Sequence, residues 1–293
     1  MYVDSHVHLQ PHGAAPPVTR ERIEQYLAVA QERGVEQVAF TEHLFRFEEA
    51  YRLLAGWWDD DREHPQLAAV SRAYIEDHVS MSVAGYVRVI EEAKSAGLPV
   101  LLGLEMDWLP GRADELRAFL EPYSWDIVLG SVHWIGAWGF DSSNDLDRAE
   151  WDQRDIDAVH GDYAALLREL ASEELCDVLA HPDLPKLFGH RPTSFTPLHS
   201  AIVDAAQTGR CAVELNSHGY NKPCAEQYPA LPVLERARAA GLSITLASDA
   251  HTPDRVGERF DDLAALAARA GYEEFVSFRE RRPSSHPLPV RAD

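Results

Sequence analysis

Short apolar runs alternate along this chain with amphipathic segments of helical period, and that alternation limits the fold more than any other feature. The runs are Met1-Tyr2-Val3 and residues 35–40, 98–105, 126–130, 177–180, 211–215 and 242–246. Helices are predicted over 19–33, 82–96, 112–121, 155–174, 197–208, 229–240 and 254–270. Thr19 suits the first N-cap, and Gly34 lies just past that helix. Strands that alternate with helices call for a parallel sheet with crossover connections. The run at 98–105 is continuously apolar up to Glu105, as a strand covered on both faces would be. Seven such strands closed on themselves form a barrel whose strand C-termini share one face, where active sites are built. Residues 44–80 and 134–154 break the rhythm. The first stretch sets Phe45, Phe47, Trp57 and Trp58 among Glu48, Glu49, Asp59, Asp60 and Asp61, and reads as a partly helical insertion over the barrel mouth. The second also mixes aromatics with acids. A run at 275–278 and an Arg/Pro-rich tail finish the chain.

The polar residues worth attention come after the strands. Asp4-Ser5-His6-Val7-His8 opens the chain, and residues two apart on an extended segment point to the same side. His6 and His8 can therefore aim both imidazoles at one point, a geometry suited to a first-row metal. His43 follows the second run, Glu105 ends the third, His133 and His181 follow the next two, and Asp249 and His251 follow the last. A carboxylate at the end of a buried strand needs a partner, because a lone buried charge is costly. Histidines scattered at random would not prefer strand ends over helices. Those within predicted helices or the tail, His64, His78, His160, His199 and His286, are expected at the surface.

Composition excludes several classes. The 293 residues carry a formal net charge of −21, which repels a polyanionic backbone and argues against nucleic acid as a partner. The same charge could attract a cationic substrate. No run approaches the roughly 20 apolar residues of a membrane span, and no basic segment followed by an apolar one reads as a secretory signal. Cys176, Cys211 and Cys224 are odd in number and scattered, so neither a disulfide framework nor a thiolate metal site is expected. A reducing cytoplasm is the expected compartment.

The motifs Asp-Ser-His6-Val-His8, Thr-Glu-His43, Gly-Leu-Glu105, Gly-Ser-Val-His133, Ala-His181-Pro and Ser-Asp249-Ala-His251 resemble those of the PHP (polymerase and histidinol phosphatase) family, in the family's order across nearly the whole chain. Residues 126–135, Glu214-Leu215-Asn216, the segment from Lys222-Pro223 to Tyr228-Pro229, and Val256-Gly257 resemble its histidinol-phosphatase branch. The resemblance implies one distorted (β/α)7 barrel domain over 1–293, with insertions near 44–80 and 134–154. It implies two or three divalent transition metals, and nine N/O ligands without cysteine fit Zn, Mn or Fe. His6, His8, Glu105 and Asp249 would hold one metal, Glu105 would bridge to a second held by His133 and His181, and His12, His43 and His251 would complete a third. The loop before His12 is shorter than the family's usual spacing. Asn221 also stands where the family often has an Arg, so Lys186, Arg191 or Lys222 would supply charge to phosphate. Lys186, Arg191 and His218 are the candidate catalytic residues.

The implied reaction is hydrolysis of a small phosphomonoester, L-histidinol phosphate foremost. Three other readings stay open on the residues alone. An amidohydrolase also opens with His-x-His, but it commonly bridges two metals through a carboxylated lysine. None of Lys94, Lys186 and Lys222 ends a predicted strand at the appropriate place. A PHP nuclease or polymerase-associated module is disfavoured by the acidity, and a non-catalytic metal-binding module by the nearly complete ligand set.

Overall fold

In the computed structural model, residues 2–13, 15–54 and 56–289 are described, apart from the side chains of Asp59 and Asp60. In chain order the strands are β1 (Tyr2–Val7), β2 (Val35–His43), β3 (Val100–Asp107), β4 (Ile127–Ser131), the two-residue β5 (Trp134–Ile135) and β6 (Trp138–Gly139), β7 (Val178–Leu179), β8 (Ala212–Asn216), β9 (Ile244–Ala247), β10 (Glu274–Arg279) and β11 (Arg282–Pro287). The helices are α1 (Arg20–Glu32), α2 (Glu48–Leu54), α3 (Pro65–His78), α4 (Val83–Ser95), α5 (Ala113–Leu120), α6 (Asp145–Glu150), α7 (Ile156–Ser172), α8 (Thr196–Gly209), α9 (Leu231–Ala239) and α10 (Phe260–Arg269).

Seven strands pair in parallel in the order β1-β2-β3-β4-β7-β8-β9, so the expected barrel is present. β3 is buried at every residue, which explains its continuous apolar run. Between β9 and β1 the ring is nearly closed by a few backbone contacts. Val7 bridges Ala250, the His8 amide donates to Ala250 O at 2.8 Å, and the Asp249 amide donates to His6 O at 2.9 Å. Closure thus runs through the backbones of His6, His8 and Asp249, which brings the two ends of the chain's ligand series side by side. Outside the ring, α1 is capped as expected, with Thr19 Oγ1 accepting from the Arg22 amide at 3.3 Å. It buries Ile23, Tyr26 and Ala30, a stripe of helical spacing.

The two irregular stretches form a joint roof. Ser71 Oγ donates to Ala137 O at 2.6 Å, Trp134 Nε1 donates to Ser71 Oγ at 3.0 Å, and Asp61 Oδ2 accepts from the Ala137 amide at 3.2 Å. Asp61 also accepts from the ring of His64 at 2.9 Å. This carboxylate therefore ties one insertion to the other. The side chains of its neighbours Asp59 and Asp60 lie outside the described residues.

Three expectations are corrected. The helix predicted over 254–270 starts only at Phe260, after a 3-10 turn at Pro253–Arg255. The intervening chain folds back so that the Gly257 amide donates to buried Asp4 Oδ2 at 2.9 Å, and a side chain at Gly257 would meet Val35 Cγ2 at 2.6 Å. Within the Arg/Pro-rich tail, Arg282–Pro287 is β11, antiparallel to β10. Glu280 and Arg281 make the hairpin turn with φ of 50° and 59°, a conformation that usually selects Asn or Gly and so gave no signal here. Tertiary anchors hold it instead, since Arg281 Nε pairs with Asp177 at 3.0 Å. Finally His78, His160 and His199, expected at the surface, are buried, because they lie on the inward stripes of α3, α7 and α8.

Candidate metal centre and active site

Glu105 projects from β3 into a ring of imidazoles delivered by five other positions on the barrel. Its Oε2 lies 2.6 Å from His43 Nδ1, 3.3 Å from His6 Nε2 and 3.4 Å from His8 Nε2. Its Oε1 lies 2.9 Å from His181 Nε2 and 3.3 Å from His133 Nε2. Asp249 Oδ1 approaches His8 Nε2 at 3.5 Å and His6 Nε2 at 3.8 Å, and His43 Nε2 is 3.3 Å from His251 Nε2. Ligand atoms fall into overlapping triads: His6 with His8 and Glu105, His6 with His181 and Asp249, His43 with Glu105 and His133, and His8 with His43 and His251. Eight of the nine expected ligands are in these triads. His12, the ninth, lies beside them, its ring stacked on His251 at 4.2 Å and its Nδ1 3.4 Å from the Tyr74 hydroxyl.

The donors fit divalent cations on two counts. His6 Nδ1 faces Glu214 Oε1 at 2.8 Å and His8 Nδ1 faces Glu42 Oε1 at 3.2 Å. Burial opposes protonation of both rings, but the carboxylates around them push His6 and His8 above the ordinary imidazole range, so the site favours positive charge where the two Nε2 atoms meet 3.0 Å apart, which a bound cation would supply. The second count is Glu105 Oε2, which is buried and has no hydrogen-bond partner despite three imidazole nitrogens nearby. His43 Nδ1 is close enough to it but not aimed at it, and is equally without a partner. His133 repeats the oriented pattern, its Nδ1 held by Asp107 at 2.6 Å.

The electrostatics follow from this packing. Burial alone would raise the Glu105 carboxyl, but His43, His6 and His133 together hold it well below the usual range. Burial likewise opposes ionisation of Asp249, and His6 and His218 reverse it. Burial, reinforced by His8, pushes His43 well below an ordinary imidazole, and burial with His12 and His8 does the same to His251. His218 is taken down to about 4 by burial against the pull of Asp249, so its ring is neutral at pH 7. Two of the expected ligands also sit in the left-handed region, His181 at φ 27° and Asp249 at φ 53°, backbone strain of the kind that clusters at functional sites.

Three carboxylates given no role in the sequence reading, Glu214 among them although its motif was noted, face the imidazoles from behind. Glu214 binds the His6 ring, accepts from the His181 amide at 2.7 Å and from Asn216 Nδ2 at 3.0 Å. Glu42 and Asp107 perform the same orienting task for His8 and His133. Their sequence signal was an acid inside an otherwise apolar strand.

Above the cluster is a cavity of about 200 Å³, whose lining includes His218, Lys222, Asp141, Asp147, Tyr74 and Trp134. Lys222 is the one Lys or Arg lining it among the described residues, and it makes no hydrogen bond or ion pair there. Lys186 lies elsewhere. Its Nζ is buried between Asp183 at 2.8 Å, Glu226 at 3.1 Å and Gln227 O at 2.7 Å. Arg191 is exposed, with Glu226 3.7 Å away.

A buried ring of imidazoles around a shared carboxylate, at the C-terminal mouth of a parallel barrel, defines a metal-dependent hydrolase site. The PHP domain family matches residues 6–218, and the chain belongs to that family. A Deinococcus radiodurans protein named "Probable histidinol-phosphatase" is 34% identical over 280 residues, covering 95% of this chain and 97% of the relative. The crystal structure of histidinol phosphate phosphatase from Lactococcus lactis, complexed with zinc, L-histidinol and phosphate, superimposes with a TM-score of 0.66 over 97% of this chain and 98% of the other, at 19% identity. A protein assigned as a histidinol phosphatase from Listeria monocytogenes gives 0.68 over 89% and 99%, at 18% identity. At those identities the two structures speak for the fold. No described helix is long and apolar enough to cross a membrane.

Proposed function

We propose that this chain is a phosphomonoesterase that uses two or three divalent transition metals to hydrolyse L-histidinol phosphate to L-histidinol and phosphate. The observation that carries the reading is Glu105 shared among five imidazoles, in a chain that aligns end to end with the Deinococcus protein. His6, His8, His43, His133, His181, Asp249 and His251 join Glu105 as ligands, and His12 completes the set from its place on His251. When bound, such metals lower the pKa of a coordinated water and clamp the attacking and leaving oxygens.

The chain's own residues do the rest. Glu214, Glu42 and Asp107 fix the tautomers and directions of His6, His8 and His133. Lys222, unpaired in the cavity, takes a phosphoryl oxygen and stabilises charge as it builds there. Neutral His218 offers a further hydrogen-bonding partner in the same cavity. Lys186, already committed to Asp183 and Glu226, holds the wall behind Tyr228, whose ring centre is 5.3 Å from its Nζ.

The test is elemental analysis and a phosphomonoester panel on one preparation. At least two metals per chain, loss of activity on chelation, recovery with Zn or Mn, and the highest kcat/KM for histidinol phosphate are expected. Full activity with one metal or none would reject the cluster. Higher kcat/KM for several unrelated phosphates would reject the substrate.

A further inference from the structure

The cavity holds two carboxylates that the hydrolytic chemistry leaves unused. Asp147, on α6, is only 2% exposed, and its Oδ1 is buried without a hydrogen-bond partner while the residue lines the cavity. Burial raises its carboxyl to about 6, against the opposing help of Ser142 and the Gly139 amide. Asp141 lines the same cavity and makes no side-chain contact beyond its own backbone amide. Burial raises it too, and Asp141 disfavours the ionised form of Asp147. A buried carboxylate oxygen with no partner is costly in an isolated fold, and a pair of like charges adds to that cost. Protein donors relieve only part of it: Ser142 and the Gly139 amide favour the ionised Asp147, while its Oδ1 keeps no partner. Lys222, the cation of the cavity, favours the ionised form of Asp141 from a distance, but among the described residues it makes neither hydrogen bond nor ion pair to either acid. The aromatic faces of Tyr74 and Trp134 border the same space, and such faces favour cations.

We infer that Asp147, assisted by Asp141, is the specificity subsite for a protonated nitrogen on the alcohol part of the ester. This rests on the phosphomonoesterase reading and adds what the metal cluster cannot supply, since metals and Lys222 recognise phosphate whatever alcohol carries it. The subsite selects amino-alcohol phosphates as a class.

The experiment compares wild type with Asp147→Asn and Asp141→Asn, all metal-loaded. The substrates are L-histidinol phosphate, O-phosphoethanolamine and neutral p-nitrophenyl phosphate. The readout is the ratio of kcat/KM for each cationic ester to that for the neutral one. Loss of a hydrogen bond to a charged group predicts that Asp147→Asn lowers this ratio about tenfold to a hundredfold, carried mainly by KM, with a smaller fall for Asp141→Asn. Asp147→Glu should restore part of it, which a mere packing role would not. Metal content and melting temperature identify any variant that lost its centre. For such a variant, calorimetry of L-histidinol binding to wild type and Asp147→Ala in the presence of phosphate gives the same comparison without turnover, and equal affinities overturn the subsite. An unchanged ratio in Asp147→Asn overturns it as well. If wild type prefers O-phosphoethanolamine but Asp147→Asn still collapses the ratio, histidinol phosphate falls as the substrate and the subsite stands.

Discussion

Glu105→Gln isolates the charge at the heart of the centre with little change of shape. Five imidazole nitrogens lie between 2.6 and 3.4 Å from the two carboxylate oxygens. Two unit charges about 3 Å apart interact by roughly 5 kcal/mol at an effective dielectric of about 20. Removing one negative charge therefore weakens the hold on any positive charge there by that order before relaxation. Allowing about half for relaxation and for residual ligation by the amide leaves ~3 kcal/mol per metal, or about a hundredfold in dissociation constant. The loss should affect more than one ion, because Glu105 belongs to two triads. Metal-to-protein ratio measured against a graded chelator series reads this directly, and turnover on histidinol phosphate should fall at least about a hundredfold. Melting of the metal-free proteins separates loss of the centre from loss of the fold. Metal affinity and kcat within a few-fold of wild type would refute the placement of Glu105 at the shared position.

Three more outcomes follow from the packing. Lys186→Met should lower stability by about 3 kcal/mol or more, because it strands buried Asp183 without its partner, whereas Lys222→Met should keep the melting temperature and lose about tenfold or more in kcat/KM on every phosphomonoester. Thermal melts and kinetics on the two variants decide it, and the reverse pattern would return Lys186 to the phosphate. Gly103→Ala should cost about 2 kcal/mol in urea denaturation, since its Cβ would sit 2.5 Å from Thr41 Cγ2 and 3.0 Å from Phe40 O, and Thr41 is held by accepting from the Val7 amide. His160 is buried with both ring nitrogens unpartnered, and burial lowers it from 6.5 to about 4. The folded state then binds fewer protons than the unfolded state between those values, so stability is lost as pH falls through that window, by up to about 3 kcal/mol. His160→Leu should flatten the urea midpoint against pH there, and an unchanged slope would contradict a neutral His160.

The alternation of runs was enough to expect a parallel barrel, because strand and helix periods are local properties of the chain. The ligands were legible for a related reason: parallel strands share one C-terminal face, so residues placed after strands converge wherever they fall in sequence. His6, His43, Glu105, His133, His181 and Asp249 could therefore be gathered without knowing a single distance. Thr19 was legible as a cap because its partner is three residues away. What depended on distant partners was not. His6 and Glu214 are 208 residues apart, so no local pattern marks Glu214 as the residue that aims the ring. Lys186 and Lys222 look alike in sequence, and only the fold surrounds the first with Asp183 and Glu226 while opening the second to the cavity. The β10–β11 hairpin stayed hidden because its Glu-Arg turn is held by Asp126 and Asp177 from other parts of the barrel rather than by its own residue types. Local periodicity specified the scaffold and the face on which chemistry would occur, and burial among partners distant in sequence decided which charges on that face are free to act.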